Sequence, residues 1–255
     1  MRLSAQTAGH GPDLVLLHGW GMHSGVWQPI LEQLTTSWRV TMIDLPGHGN
    51  SHAVELDVWD DRVLDALVDV GPEQAIWLGW SISGMLALQL ALRHAQRVSH
   101  LILLACNASF VTRTDWPCAI EPAVLQQFNQ DLHDDYARTL QRFLALQVKG
   151  SAYAQSVLRQ LREQFTQTNA PSSQTLEAGL AYLQQSDLRT SLTRLQQPVS
   201  WLGGTHDTLV PAVSAQAMQT LQPALQISTI DGAGHAPFLS HSRQFLSELE
   251  ACLHD

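Results

Sequence analysis

The chain has 255 residues, of which 45% are hydrophobic and 15% charged, with a formal net charge of −9 at pH 7. That length and apolar content are enough to bury a full core and suit one domain with a sizeable insertion. The acidic balance argues against a general nucleic-acid or anionic-membrane binder, because such partners require a positive face that displaces counterions.

In chain order, Leu14 to Leu17 and Val40 to Ile43 are short apolar runs bounded by glycine, proline or polar residues, the pattern of strands buried on both faces of a parallel sheet. The first runs into His18-Gly19-Trp20-Gly21 and the second into Asp44-Leu45-Pro46-Gly47-His48-Gly49. Between them Val26, Ile30 and Leu34 recur at helical spacing. A third run, Ala75 to Leu78, enters Gly79-Trp80-Ser81-Ile82-Ser83-Gly84, followed by an apolar helix through Met85, Leu86, Leu88 and Leu90 to Leu92. Leu101 to Ala105 is another strand. From about Val111 to Leu188 strand-like runs vanish and Gln, Ala, Leu and Arg recur with helical periodicity. Strands return at Val199 to Leu202 and Gln226 to Ile230, and Phe245, Leu246 and Leu249 suit a closing helix. Alternating strands and helices imply an α/β, doubly wound, mostly parallel sheet. The expected organisation is a core of residues 1–110 and 189–255 with a helical cap inserted over 111–188, on the sheet edge where ligands bind.

A serine hydroxyl is a weak nucleophile unless a base takes its proton and the backbone projects it toward the substrate. A sharp strand-to-helix turn does the latter, and it crowds the residues two before and two after the serine, hence the pattern G-x-S-x-G. Here Gly79-Trp80-Ser81-Ile82-Ser83 matches with serine in the fifth place. Ser83 as nucleophile would have Met85 at its crowded flank, so Ser81 is the expected nucleophile. Ser83→Gly should then keep activity and Ser81→Ala abolish it. The partners follow in the order this fold uses, each after a strand. Asp207 ends Gly203-Gly204-Thr205-His206-Asp207, and His235 lies in Gly232-Ala233-Gly234-His235-Ala236-Pro237. His235 is expected to accept the Ser81 proton while Asp207 fixes its tautomer. Asp231 is the competing acid, but it stands only four residues from His235 and is expected to close a turn. The backbone N–H groups of Trp20 and Ile82 are the expected oxyanion donors. His18 should brace its loop by hydrogen bonding, and His206 should be a bystander.

Other chemistry has less support. There is no H-E-x-x-H and no G-x-G-x-x-G after the first strand, and His48 and His52 fall in a glycine-containing loop, so neither metal nor cofactor is assigned. Cys106, Cys118 and Cys252 are odd in number and lack C-x-x-C spacing, which suits reduced thiols. The N-terminal apolar run is too short for a signal peptide and no stretch approaches a membrane span. A cytoplasmic monomer without membrane or nucleic-acid partners is expected.

Taken together, Leu17 to Gly21, Asp44 to Ser51, the Ser81 elbow, Asp207 and Gly234-His235 resemble the α/β-hydrolase superfamily over essentially the whole chain. More narrowly, Trp77 to Ser81, Arg142-Phe143-Leu144-Ala145-Leu146-Gln147 and His235-Ala236-Pro237-Phe238 resemble the pimeloyl-acyl-carrier-protein methyl ester esterases of biotin synthesis. Members of that family hydrolyse the methyl ester of a carrier-bound pimeloyl chain. The resemblance implies a serine carboxylesterase whose partner is an acyl carrier protein. It also implies a substrate site formed by Trp20, Ile82, Phe143, Leu144, Ala145, Leu146, Gln147 and His235. The departures are Ile82-Ser83, where leucine and glycine are usual, and Gln155, where an arginine is expected. Between residues 138 and 162 the chain holds Arg138, Arg142, Lys149, Arg159 and Arg162 and no acid. Arg138 with Arg142 and Arg159 with Arg162 can each share a helix face, so the four arginines are candidates for docking an acidic carrier. A less selective short-chain carboxylesterase or thioesterase shares every catalytic residue and differs in the cap. A non-catalytic ligand receptor on the same scaffold is the alternative from another class.

Overall fold

The computed structural model describes residues 1–54, 56–166 and 170–254. Among these described residues seven strands form one sheet: β1 (Ala5–Ala8), β2 (Asp13–Leu17), β3 (Arg39–Ile43), β4 (Ala75–Trp80), β5 (Val98–Leu104), β6 (Val199–Gly204) and β7 (Gln226–Ile230). Their spatial order is β1-β3-β2-β4-β5-β6-β7, antiparallel between β1 and β3 and parallel elsewhere. The apolar runs are continuous because both faces are covered. Val15 and Leu17 pack in one core and Leu14 and Leu16 in the other, and Leu101 and Leu103 alternate in the same way with Ile102 and Leu104. One face is covered by α2 (Asp61–Val70), α3 (Ile82–Arg93) and α9 (Val213–Leu221), the other by α1 (Gln28–Leu34) and the C-terminal helix (Ser242–His254).

The strands expected from the sequence are present, each within a few residues of its expected bounds. β1 was not foreseen. It is an edge strand of four residues, exposed along most of its length, so it carries no apolar alternation, and pairing to β3 alone defines it.

Between β5 and β6 the chain forms α4 (Pro122–Asp134), α5 (Tyr136–Val148), α6 (Ala154–Thr166), α7 (Ser173–Gln185) and the short α8 (Arg189–Leu192). The two ends of this helical segment are clasped together, by a bridge between Ser109 and Asp187 and by the Leu188 N–H donating to the Ala108 carbonyl at 2.8 Å. None of the described helices is long and apolar enough to cross a membrane. The site is positioned by the reversal of strand order around β2: the chain moves outward to β3, then crosses back so that β4 lies on β2's other side. The C-terminal ends of β2 and β4 therefore lie side by side, at the kind of switch point where open α/β sheets bind ligands.

Candidate active site

β4 ends in Trp80, and Ser81 follows with φ 60° and ψ −120° before α3 begins at Ile82. Non-glycine residues rarely adopt this backbone, and here it is held by the Ser81 N–H donating to the Leu104 carbonyl at 2.8 Å and the Gly84 N–H to the Ser81 carbonyl at 3.0 Å. The turn is tight enough that a β-carbon on Gly79 would lie 2.3 Å from the Ser83 carbonyl oxygen. Ser83 is fully buried, and its hydroxyl is 2.9 Å from both the Leu17 and Trp80 carbonyls, whereas Ser81 retains 7% exposure and lines a cavity.

Asp207 and His235 come from the loops after β6 and β7. His235 Nδ1 and Asp207 Oδ2 are 2.7 Å apart, with side chains 1% and 0% exposed. The other carboxylate oxygen, Oδ1, accepts from the Leu209 and Val210 amides at 2.8 and 2.9 Å, so the acid is fixed at both ends. His235 Nε2 is buried and makes no hydrogen bond among the described residues. Two backbone bonds seat this histidine: its carbonyl accepts from the Trp80 indole N–H at 2.8 Å, and its N–H donates to the Gln147 carbonyl of α5 at 2.9 Å. Trp80, the residue preceding Ser81, thus ties the His235 loop to the end of β4. Asp231 is exposed and accepts from the Thr205 hydroxyl at 3.1 Å, closing the turn between these two loops. His206 fastens the Asp207 loop outward, its Nδ1 lying 2.7 Å from the Gly150 carbonyl.

The turn after β2 runs from Gly19 to Met22, closed by the Met22 N–H to the Gly19 carbonyl at 3.2 Å, with Gly21 supplying the positive φ of 69°. The Trp20 indole donates to the Leu176 carbonyl of α7 at 2.9 Å. His18 Nε2 accepts from the Leu45 amide at 3.0 Å, so Nδ1 carries the proton that it donates to the Gly19 carbonyl at 2.8 Å. The Ile82 amide is the first of α3, among the four at a helix start that lack an intrahelical carbonyl.

Burial first, then the neighbouring His48, pushes His18 down to about 3, and burial holds His48 at about 4. Both rings are therefore neutral in the folded protein, while in the unfolded chain they take up protons below about pH 6.5. Because the unfolded state binds more protons between about pH 6.5 and 4, stability rises with pH through that window and falls on acidification, by on the order of 5 kcal/mol for the pair. Urea midpoints measured at pH 7 and 4.5 should show this fall, and His48→Gln should flatten it. An unchanged slope in that variant would count against neutral His48 as a source of the acid sensitivity.

The cavity at Ser81 is apolar, lined by Trp20, Phe110, Ile120, Val124, Leu125, Phe128, Phe143, Leu146, Leu180, Leu183 and Leu209. Trp20 meets Phe143 and Phe128 edge-on, with ring centroids 4.7 and 5.6 Å apart. Of the five consecutive residues expected to line the site, the structure brings only Phe143 and Leu146 to this cavity. Leu144 is buried in the second hydrophobic cluster, to which Val148, Val157 and Leu161 of α5 and α6 also belong, Ala145 is exposed in a groove between α5 and α6, and Gln147 backs His235. A helix turns 100° per residue, so no five-residue run can face one cavity. Ile82, which follows Ser81 in the chain, and His235 are both buried and do not join the apolar lining. Leu125 with Phe128, and Leu180 with Leu183, do carry a signal in their helical spacing, but in sequence that spacing is indistinguishable from core.

The arginine patch is less positive than its composition implies. Arg142 pairs with Asp131 of α4, just before the acid-free window, and Arg159 lies 3.9 Å from Glu163, just after it. Arg159 remains 75% exposed, and Arg138, Arg162 and Gln155 are exposed too. Among the described residues, no group of three or more His, Cys, Asp or Glu side chains is arranged to hold a metal ion.

A model of the alpha/beta hydrolase fold family matches residues 12–242. The chain is 46% identical over 247 residues to the pimeloyl-acyl-carrier-protein methyl ester esterase of Xylella fastidiosa (strain M23), covering 96% of each chain. It is 43% identical over 246 residues to the protein of the same name from Nitrosomonas europaea, covering 96% of this chain and 97% of that one. Among solved structures, bromoperoxidase from Bacillus anthracis is similar with a TM-score of 0.90 over 99% of this chain and 95% of that one, at 18% identity, which is a likeness of fold alone.

Proposed function

The chain belongs to the α/β-hydrolase fold family, and on that premise we propose that it is a carboxylic ester hydrolase that cleaves the methyl ester of pimeloyl-acyl-carrier protein with Ser81, His235 and Asp207. The family resemblance implies a place in biotin synthesis, where this cleavage frees the distal carboxylate. One observation carries the narrow reading. A likeness covering 96% of both chains cannot omit the helical segment between β5 and β6, the part in which esterases sharing these catalytic residues differ.

Ser81 Oγ attacks the methyl ester carbonyl as His235 Nε2 takes its proton, and Asp207 stabilises the imidazolium through Nδ1. The Trp20 and Ile82 amides accommodate the oxyanion of the tetrahedral intermediate, each such donor contributing about 3 kcal/mol. Collapse breaks the bond to the methoxy oxygen, which leaves as methanol with the proton from Nε2. Water then gives a proton to Nε2 and attacks the acyl-enzyme, and Ser81 regains its proton as the carboxylic acid departs and ionises. The apolar lining suits a methylene chain, and a free carboxylate buried there without partners is unfavourable, which favours product release.

The helical segment 111–188 serves as a cap over Ser81, and its basic residues as a docking face for the acidic carrier. Exposed ion pairs such as Arg142 with Asp131 are worth little, so the guanidiniums remain available to a partner. Arg142→Ala with Arg159→Ala should raise KM for the carrier-bound ester by roughly tenfold, less at high salt, and leave hydrolysis of a small soluble ester unchanged. Equal effects on both substrates would rule the docking role out. The reading as a whole is tested by rescue of a biotin-requiring strain that lacks its own esterase. The wild-type gene should restore growth and Ser81→Ala should not; a well-expressed wild-type protein that fails to rescue would sink the pimeloyl assignment while leaving the hydrolase one.

A further inference from the structure

The second residue after Ser81 is serine where the elbow motif has glycine. Its hydroxyl, fully buried, lies 2.9 Å from the Leu17 carbonyl and 2.9 Å from the Trp80 carbonyl. Leu17 is the last residue of β2, three before Trp20, and Trp80 immediately precedes Ser81. One side chain in the first turn of α3 therefore joins the strand end that leads to one proposed oxyanion donor and the strand end that leads to the nucleophile and the other.

This link lies where the sheet stops doing the same work. The register of β2 with β4 ends at Leu17 opposite Gly79, and beyond it β2 turns away into His18 while Ser81 bonds to β5. The other side-chain bonds of the Trp20 turn lead elsewhere, His18 to Leu45 and the Trp20 indole to Leu176. On the nucleophile's side, Gly19 packs against Trp80 closely enough that a β-carbon there would lie 3.1 Å from the indole, a steric contact without direction. Ser83 supplies the directional one.

We propose that Ser83 is a positioning residue that sets the spacing between the Trp20 and Ile82 amides by fixing the Leu17 and Trp80 carbonyls to the start of α3. This inference rests on the reading of Ser81 as nucleophile and of those amides as oxyanion donors. Such donors act only when both lie about 2.7–3.1 Å from the place the oxyanion occupies in the transition state. Loss of the link therefore weakens transition-state binding more than substrate binding, and appears in kcat and not in KM.

Ser83→Ala deletes only the oxygen, and Ser83→Gly installs the motif's own residue. Both variants should remain active hydrolases, with kcat lowered roughly tenfold and KM within about twofold of wild type. Affinity for a trifluoromethyl ketone, which adds to Ser81 and places an oxyanion between the two amides, should fall by the same factor as kcat. A folded variant with wild-type kcat and wild-type ketone affinity overturns the proposal, whatever its melting temperature, as does a rise in KM without loss of kcat. If Ser83→Ala does not fold, Ser83→Gly carries the test. Ser81→Ala measured alongside separates the two readings. Substantial turnover by Ser81→Ala would overturn the nucleophile assignment, whereas an inert Ser81→Ala beside a fully active Ser83→Ala would overturn the positioning role alone.

Discussion

Ser81→Ala is expected to lower turnover of the carrier-bound methyl ester by about five orders of magnitude while leaving the fold and substrate binding intact. The substitution removes only the oxygen. The unusual backbone at φ 60° is held by the amide bond to the Leu104 carbonyl and by the Gly84 amide, both independent of the side chain. Melting temperature should accordingly change little, and the whole loss should appear in kcat, followed by mass spectrometry of the carrier-bound product. The same comparison discriminates against a ligand receptor on this scaffold, for which wild type and Ser81→Ala would show the same negligible rate. It also separates the two hydroxyls of the elbow. Ser83 is fully buried and its hydroxyl proton is directed at two carbonyls, so it has no access to a substrate carbonyl. A Ser81→Ala variant with more than a percent of wild-type turnover would mean that another residue attacks.

What could be read from the sequence divides along a physical line. Strands β2 to β6 were legible because burial on both faces makes them nearly continuous apolar runs, and the elbow and acid loops were legible because tight turns after strands demand glycine. Asp207 is preferred to Asp231 in the sequence because Asp231 stands only four residues from His235, and in the structure Asp207 lies 2.7 Å from the His235 ring. What was not legible depends on contacts distant in sequence. The Trp80 indole reaches His235 across 155 residues and the Trp20 indole reaches Leu176 across 156, and nothing local in either tryptophan's neighbourhood marks the partner. The run Phe143 to Gln147 identifies the right helix but not which of its residues face Ser81, because that depends on how α5 is rotated against the sheet. The basic window was similarly incomplete, since Asp131 pairs with Arg142 from the preceding helix, outside any count along a single segment. Ser83 is the reverse case: a visible departure from the motif whose meaning, a bond to the end of β2, required the fold.

Asp207→Asn should reduce kcat by about four orders of magnitude with little change in KM, and the hydrogen bonds explain why an isosteric change is so damaging. Asp207 Oδ1 accepts from two backbone amides, at Leu209 and Val210, so an asparagine is compelled to place its carbonyl oxygen there. Its NH2 group then occupies the position of Oδ2, facing His235 Nδ1 at the 2.7 Å contact. A donor in that position makes Nδ1 an acceptor and moves the ring proton to Nε2, which has no hydrogen-bond partner among the described residues and which receives the Ser81 proton in the proposed reaction. The histidine is thus locked in the tautomer that cannot act as a base, and the imidazolium loses its counter-charge as well. Stability should hardly alter, because both backbone amides keep their acceptor. Asp231→Asn is the matched control: Asp231 is exposed and bonded to Thr205, so this variant should retain nearly full activity. If Asp207→Asn instead kept a tenth or more of wild-type kcat while Asp231→Asn lost it, the orienting acid would be Asp231, and the contact between Asp207 and His235 would serve only to hold the loop.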